Sequence, residues 1–112
     1  MPKFVKEAVI AGTEVTSSIV DKGYGSEFAI EFPDMSGTTM TFEVASADGS
    51  FFPLHNQDGL VSVAITGSTM FVPTGEIREA FLPVRRFQIV SDTTEPAVRN
   101  INVPLLPRFS GR

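Results

Sequence analysis

The stretch TMTFEVASADGSFFPLHNQDGLVSVAIT, residues 39–66, decides the fold class. Met40, Phe42 and Val44 alternate with Thr39, Thr41 and Glu43. A period of two marks a strand with one buried face and one wet face. Asp48-Gly49 follows, a dipeptide that tolerates positive φ and lets the chain reverse tightly. Phe51 and Phe52 start the return. Asp58-Gly59 marks a second reversal, after which Val61, Val63 and Ile65 alternate with Ser62, Ala64 and Thr66. The pattern is a β-meander.

Upstream, Phe28, Ile30 and Phe32 alternate with Ala29 and Glu31, and Pro33 to Gly37 reads as a turn. Thr13 to Val20 is rich in Thr, Ser and Val, which predicts a strand, because β-branched side chains fit a pleated surface. Asp21 to Gly25 is a loop. Residues 1–11 are compatible with a first strand, a short helix or an extended N-terminal arm over 1–12. Downstream, Met70 to Val72 is a short strand closed by Pro73, and TGEIREA (74–80) predicts a single helical turn that Thr74 caps. Phe87 and Ile89 alternate with Arg86 and Gln88, and SDTTEP (91–96) is a polar loop. Ile101, Val103 and Leu105 form a last strand opposite Asn100 and Asn102, and Pro104 predicts an edge position or a strand end. Residues 107–112 form a tail.

These segments amount to about seven or eight short strands with turn signals roughly every 8–12 residues. The expectation is an all-β chain, an antiparallel two-sheet β-sandwich or a small barrel. Strands do not alternate with helices, which excludes a doubly wound fold.

At 112 residues the chain is one domain, 1–112. A chain of this size buries roughly 65% of its unfolded surface, and the ten Phe residues supply much of the core. With no Cys there is no disulfide framework and no thiolate metal site. A net charge of -4 argues against a nucleic-acid partner, which calls for a basic stripe. No run of about 18 apolar residues exists, so no membrane span is expected. The N-terminus, interrupted by Glu7, reads as mature sequence.

Catalytic and metal chemistry find little purchase. His55, the one His, sits beside Asn56, Gln57 and Asp58 and reads as a loop residue, with no nucleophile and orienting acid to name beside it. Asp48-Gly49 and Asp58-Gly59 offer one carboxylate each where calcium wants six to eight oxygens, and tight turns explain both. Glu27, Glu31 and Glu43 read as solvated strand faces. Gly23-Tyr24-Gly25 lacks the third Gly and the helix of a phosphate loop, and Arg85-Arg86 reads as a charge pair on a strand. No catalytic residue, metal ligand or cofactor is therefore expected. With Trp absent, Tyr24 is the one loop aromatic on offer for stacking a sugar.

The termini remain. Phe4 and Val5 at one end, and Leu105, Leu106 and Phe109 at the other, are apolar residues accompanied by Arg108 and Arg112. Two readings stand. They complete the domain's own core and edge, or they pack on a partner or a neighbouring subunit, since aromatics and Arg are favoured in interface cores.

The succession Ser17-Ser18-Ile19-Val20, then FAIEFPDM, then MTFEVASADGSFFPLHNQDG, then FLPVRRFQIVSDTTEPAVRNINV resembles small virion proteins of tailed bacteriophages. The likeness covers Val15 to Val103 and consists of turns and strand patterns. The chain departs from the pattern at Val44-Ala45-Ser46-Ala47 and at EPAVRN. The resemblance implies a jelly-roll-like sandwich that serves as a capsid cement or decoration protein. Its partners would be the major capsid protein and further copies of itself, as a trimer, on the capsid exterior after assembly in the host cytoplasm. No nucleic acid or membrane would be involved. The strand–DG–strand unit also looks like that of discoidin-type sugar-binding jelly rolls, so a carbohydrate-binding or adhesin module and a neck or tail component are the alternatives.

Overall fold

Backbone pairing joins the alternating segments into two facing antiparallel sheets. The structure, a computed structural model, describes residues 5–24 and 27–106. Its strands are β1 (Val5–Ile10), β2 (Val20–Asp21), β3 (Glu27–Phe28), β4 (Ile30–Phe32), β5 (Thr39–Ala45), β6 (Phe51–Pro53), β7 (His55–Asn56), β8 (Gly59–Leu60), β9 (Ser62–Ala64), β10 (Thr69–Phe71), β11 (Arg86–Ser91) and β12 (Arg99–Leu106). The helix α1 covers Gly75–Phe81.

One sheet has the order β1-β12-β4-β10, with β3 also beside β12. The other has the order β2-β11-β5-β6, with β9 also beside β5. Strands β3 and β4 are one pass of the chain, broken at Ala29. Strands β6 and β9 are likewise one pass along β5, interrupted by the β7–β8 hairpin. Leu54 N–H donates to Phe42 O at 2.8 Å, and Val61 N–H donates to Leu54 O at 2.9 Å, so the chain leaves and re-enters the ladder at adjacent points. Counted as eight passes, the sheets read 1-8-3-6 and 2-7-4-5, which is the order of a jelly roll.

The alternation read from the sequence sets the core. Ala8, Ile10, Ile30, Phe32, Ile101 and Val103 face inward from the first sheet, and Val20, Met40, Phe42, Phe87 and Ile89 from the second. At one end Phe28, Phe42, Phe81 and Phe87 pack together, with Phe81 edge-on to the other three at 5.0, 5.1 and 5.3 Å. Such edge-to-face pairs add to the burial itself.

Three local expectations are corrected, and one with several readings is settled. Thr13 to Val20 is mostly irregular, with one bridge from Thr16 to Val90 and a two-residue β2. The cause is Ser17: Ile89 N–H donates to its hydroxyl at 2.9 Å, so a side chain takes the place of a backbone acceptor and the ladder is interrupted. Of the three readings of residues 1–11, the structure shows the strand: residues 5–10 pair with β12 in register, Val5 opposite Pro104 through Ile10 opposite Arg99. The helix has seven residues, and Thr74 precedes it in extended conformation without a side-chain capping bond. Burial of Phe81, 2% exposed, holds it in place of a cap. Finally, Pro104 lies in β12, an interior strand. Its carbonyl accepts from Ala29 N–H at 3.0 Å, so its missing N–H faces Ala29, the residue at which β3 and β4 part. Asp58-Gly59 also shifts slightly: Asn56 pairs with Gly59, so the reversal centres on Gln57-Asp58.

Candidate functional site

The register of β1 on β12 brings the first and last described strands together. Val5, the first described residue, sits opposite Pro104, and Leu105 sits opposite Phe28 on the other flank of β12. Val5 is half exposed, while Leu105 is partly buried against the core. Of the expected interface residues, these two have described side chains. The backbone of Leu106 pairs with Glu27, and Phe4, Arg108, Phe109 and Arg112 lie outside the described residues.

Beside this junction runs an apolar groove of ≈ 290 Å³, lined by Phe28, Ala29, Val72, Pro104 and Leu105 with Glu27 at its rim. Pro104 and Leu105 come from β12, Phe28 from β3, and Val72 directly follows the short edge strand β10. Met70 and Val72 are 58% and 56% exposed, an unusual cost for a Met and a Val at the edge of a sheet. Arg78 of α1 donates from Nη2 to Glu27 Oε2 at 2.9 Å, so the one acidic residue of the lining is held in an ion pair with the helix. The arrangement offers an apolar floor, a sheet edge with few residues, and a charged wall.

His55 lies elsewhere, exposed on the inserted hairpin, with Nδ1 3.3 Å from Pro53 O. It shares an open cleft of ≈ 300 Å³ with Asn56, Gln57, Glu76 and Glu79 of the helix. The Asp58 carboxylate, hydrogen-bonded to Glu76, pushes the Glu76 carboxyl above the ordinary glutamate range. Among the described residues no group of three His, Asp or Glu side chains is placed to hold a metal ion.

The polar loop 91–96 hides a group that the sequence reading missed. Glu95 is wholly buried. Its carboxylate accepts from Ser36 N–H (2.9 Å), Gly37 N–H (3.0 Å), Ser91 Oγ (2.9 Å) and Arg99 Nε (2.9 Å). Burial pushes this carboxyl up, but the four donors outweigh it and hold the pKa at about 2. The spacing Glu95 to Arg99 was a weak signal; Ser36 and Gly37 are distant in sequence and gave none. The network ties the 33–38 turn to the start of β12 and is structural.

No family model matches the chain, and no curated protein matches it. Among solved structures, the chain is similar to the SPBc2 prophage-derived protein YomS, at 14% identity over 95% of this chain and 98% of that one, with a TM-score of 0.44.

Proposed function

We propose that the chain is a structural virion protein of a tailed bacteriophage, a cement protein that binds the outer face of the shell formed by the major capsid protein. In this reading it works through shape and surface contacts, without catalysis, and self-associates as a trimer where capsid subunits meet. Two things support it: the turn-and-strand resemblance read from the sequence, and a jelly-roll topology that presents contact surface around a rigid core. The observation that carries the interface assignment is the pairing of Val5 with Pro104, which sets the first described strand beside β12, whose Pro104 and Leu105 line the groove with Phe28 and Val72. Many copies on one lattice make modest single contacts sufficient.

The test is direct. Purified protein is added to capsids stripped of decoration, and heat-induced DNA release is followed. Saturable addition that raises the release temperature is the expected result. Addition to isolated tails or necks, and none to capsids, would replace this reading with a tail or neck role.

A further inference from the structure

A second surface stands apart from the groove, where Tyr24, the end of β5 and the start of β11 meet. Tyr24, Ser46, Ala47, Arg85 and Arg86 line a cleft of ≈ 200 Å³ there. The Tyr24 ring is 72% exposed, and the Arg85 guanidinium lies over it at 5.9 Å. Both arginines turn toward one carboxylate: Arg85 Nε is 3.3 Å from Asp21 Oδ1, and Arg86 Nε is 3.6 Å from Asp21 Oδ2. Two positive charges are thus set against one negative. Among the described residues the Nη atoms of both guanidiniums make no hydrogen bond. Asp48, in the turn that follows β5, is directed into its own loop, accepting from Ser46 Oγ at 2.6 Å and Ser50 N–H at 2.9 Å.

Asp21 does more than balance charge. It also accepts from Gly23 N–H at 3.0 Å, so it holds the backbone just before Tyr24 while it faces both guanidiniums at Nε. The Nη atoms, planar donors suited to a bidentate carboxylate, make no hydrogen bond among the described residues. An exposed aromatic ring offers a flat apolar surface beside them. The cleft is smaller than the roughly 300–1,000 Å³ of sites for drug-sized ligands, so it holds one ring and not an extended chain. A hexuronic or sialic acid unit has the matching parts: a C–H face to stack on Tyr24 and a carboxylate for the arginines. An acidic peptide side chain would use the arginines and leave the ring idle.

We propose that the Tyr24–Arg85–Arg86 cleft binds a carboxylated sugar unit of a surface glycan. This goes beyond the cement reading and does not depend on it, because the test uses the isolated protein. Chemical-shift titration with methyl glucuronide should move the Tyr24, Arg85 and Arg86 signals with millimolar affinity. Methyl glucoside, which lacks the carboxylate, should bind at least about tenfold more weakly. Glucuronide binding should weaken as salt rises. Tyr24→Ala and Arg86→Gln should each reduce it about tenfold or more, with amide spectra showing that the sandwich is intact. No shift with glucuronide, equal binding of glucoside, or binding of a poly-glutamate peptide in its place would overturn the proposal.

Discussion

Arg99 Nε lies 2.9 Å from Oε1 of Glu95, a carboxylate with no exposure to solvent. Two backbone N–H groups and a hydroxyl complete the set around it. A buried ion is tolerated only when its partners are this complete. Glu95→Gln would turn an amide NH₂ toward donors, leaving at least one of them unmatched. Breaking a buried pair in this way costs roughly 3–5 kcal/mol, to be read from urea unfolding midpoints. A loss under 1 kcal/mol on that scale would mean the network relaxes freely.

The same carboxylate makes a pH prediction. Its folded pKa is about 2, below its ordinary value of 4.5. Between these values the unfolded chain binds the extra proton, so stability falls as pH drops. The contribution is fully present above about pH 5 and is lost as pH approaches 2, amounting to about 3 kcal/mol in total. Thermal unfolding followed from pH 6 to pH 2 should show this decline, and Glu95→Gln should flatten it.

Gly37 is needed for space. A Cβ there would overlap the Ser91 hydroxyl and approach Asp92 Oδ1 to 2.7 Å and Met40 Cε to 3.1 Å. Gly37→Ala must push Ser91 away from Glu95 or move the turn. We expect a cost of about 1–3 kcal/mol, with chemical-shift changes centred on Ser91 and Glu95. Gly12 serves as the control, because a Cβ there meets Ala97 at an ordinary 3.7 Å.

Phe81 carries the helix into the core, where its ring meets Phe28, Phe42 and Phe87. Phe81→Ala should cost about 3–5 kcal/mol and release α1. Phe52, 55% exposed on β6, is the contrasting case. Phe52→Ala should stay within about 0.5 kcal/mol of the parent protein in the same denaturation experiment.

How far the sequence could be read follows from which contacts are local. Phe28-Ile30-Phe32 and Met40-Phe42-Val44 announce inward faces by alternation alone, and the sheets use them so. A Ser in a Thr- and Val-rich run looks like a strand residue, and nothing local says that the Ser17 hydroxyl will accept from Ile89, 72 positions away. Pro104 reads as an edge residue because the proline rule describes its missing N–H; the break at Ala29 that absorbs the loss is 75 positions earlier. Glu95 looks solvated among SDTTEP because three of its donors, Ser36, Gly37 and Arg99, come from other segments. Tyr24 and the Arg85-Arg86 pair were each legible singly as a loop aromatic and a charge pair. Only the antiparallel pairing of β2 with β11, Asp21 opposite Arg86, makes them neighbours.

The contact between Asp58 and Glu76 joins the inserted hairpin to the helix through two carboxyls, and Asp58 holds the Glu76 carboxyl above the usual range. A carbon-detected NMR titration should find Glu76 taking up its proton at higher pH than other exposed glutamates. Asp58→Asn should return it toward the ordinary value. An unshifted Glu76 in the parent protein would mean that the two carboxyls part in solution.

The groove lined by Val72, Pro104 and Leu105 gives the last prediction. Val72 is more than half exposed, so Val72→Lys should leave stability within about 0.5 kcal/mol of the parent protein. If the groove seats a capsid subunit or a second copy, a lysine ammonium there must be desolvated on an apolar floor. Addition to stripped capsids should then fall by about tenfold or more, as for a residue at the centre of an interface. Removing Pro107 to Arg112 should weaken addition as well, while the β12 amides up to Val103 keep their hydrogen-exchange protection. Undiminished addition by both variants would move the contact surface away from the chain ends. Loss by the truncation alone would place it on the tail and leave Val72 as an ordinary exposed residue.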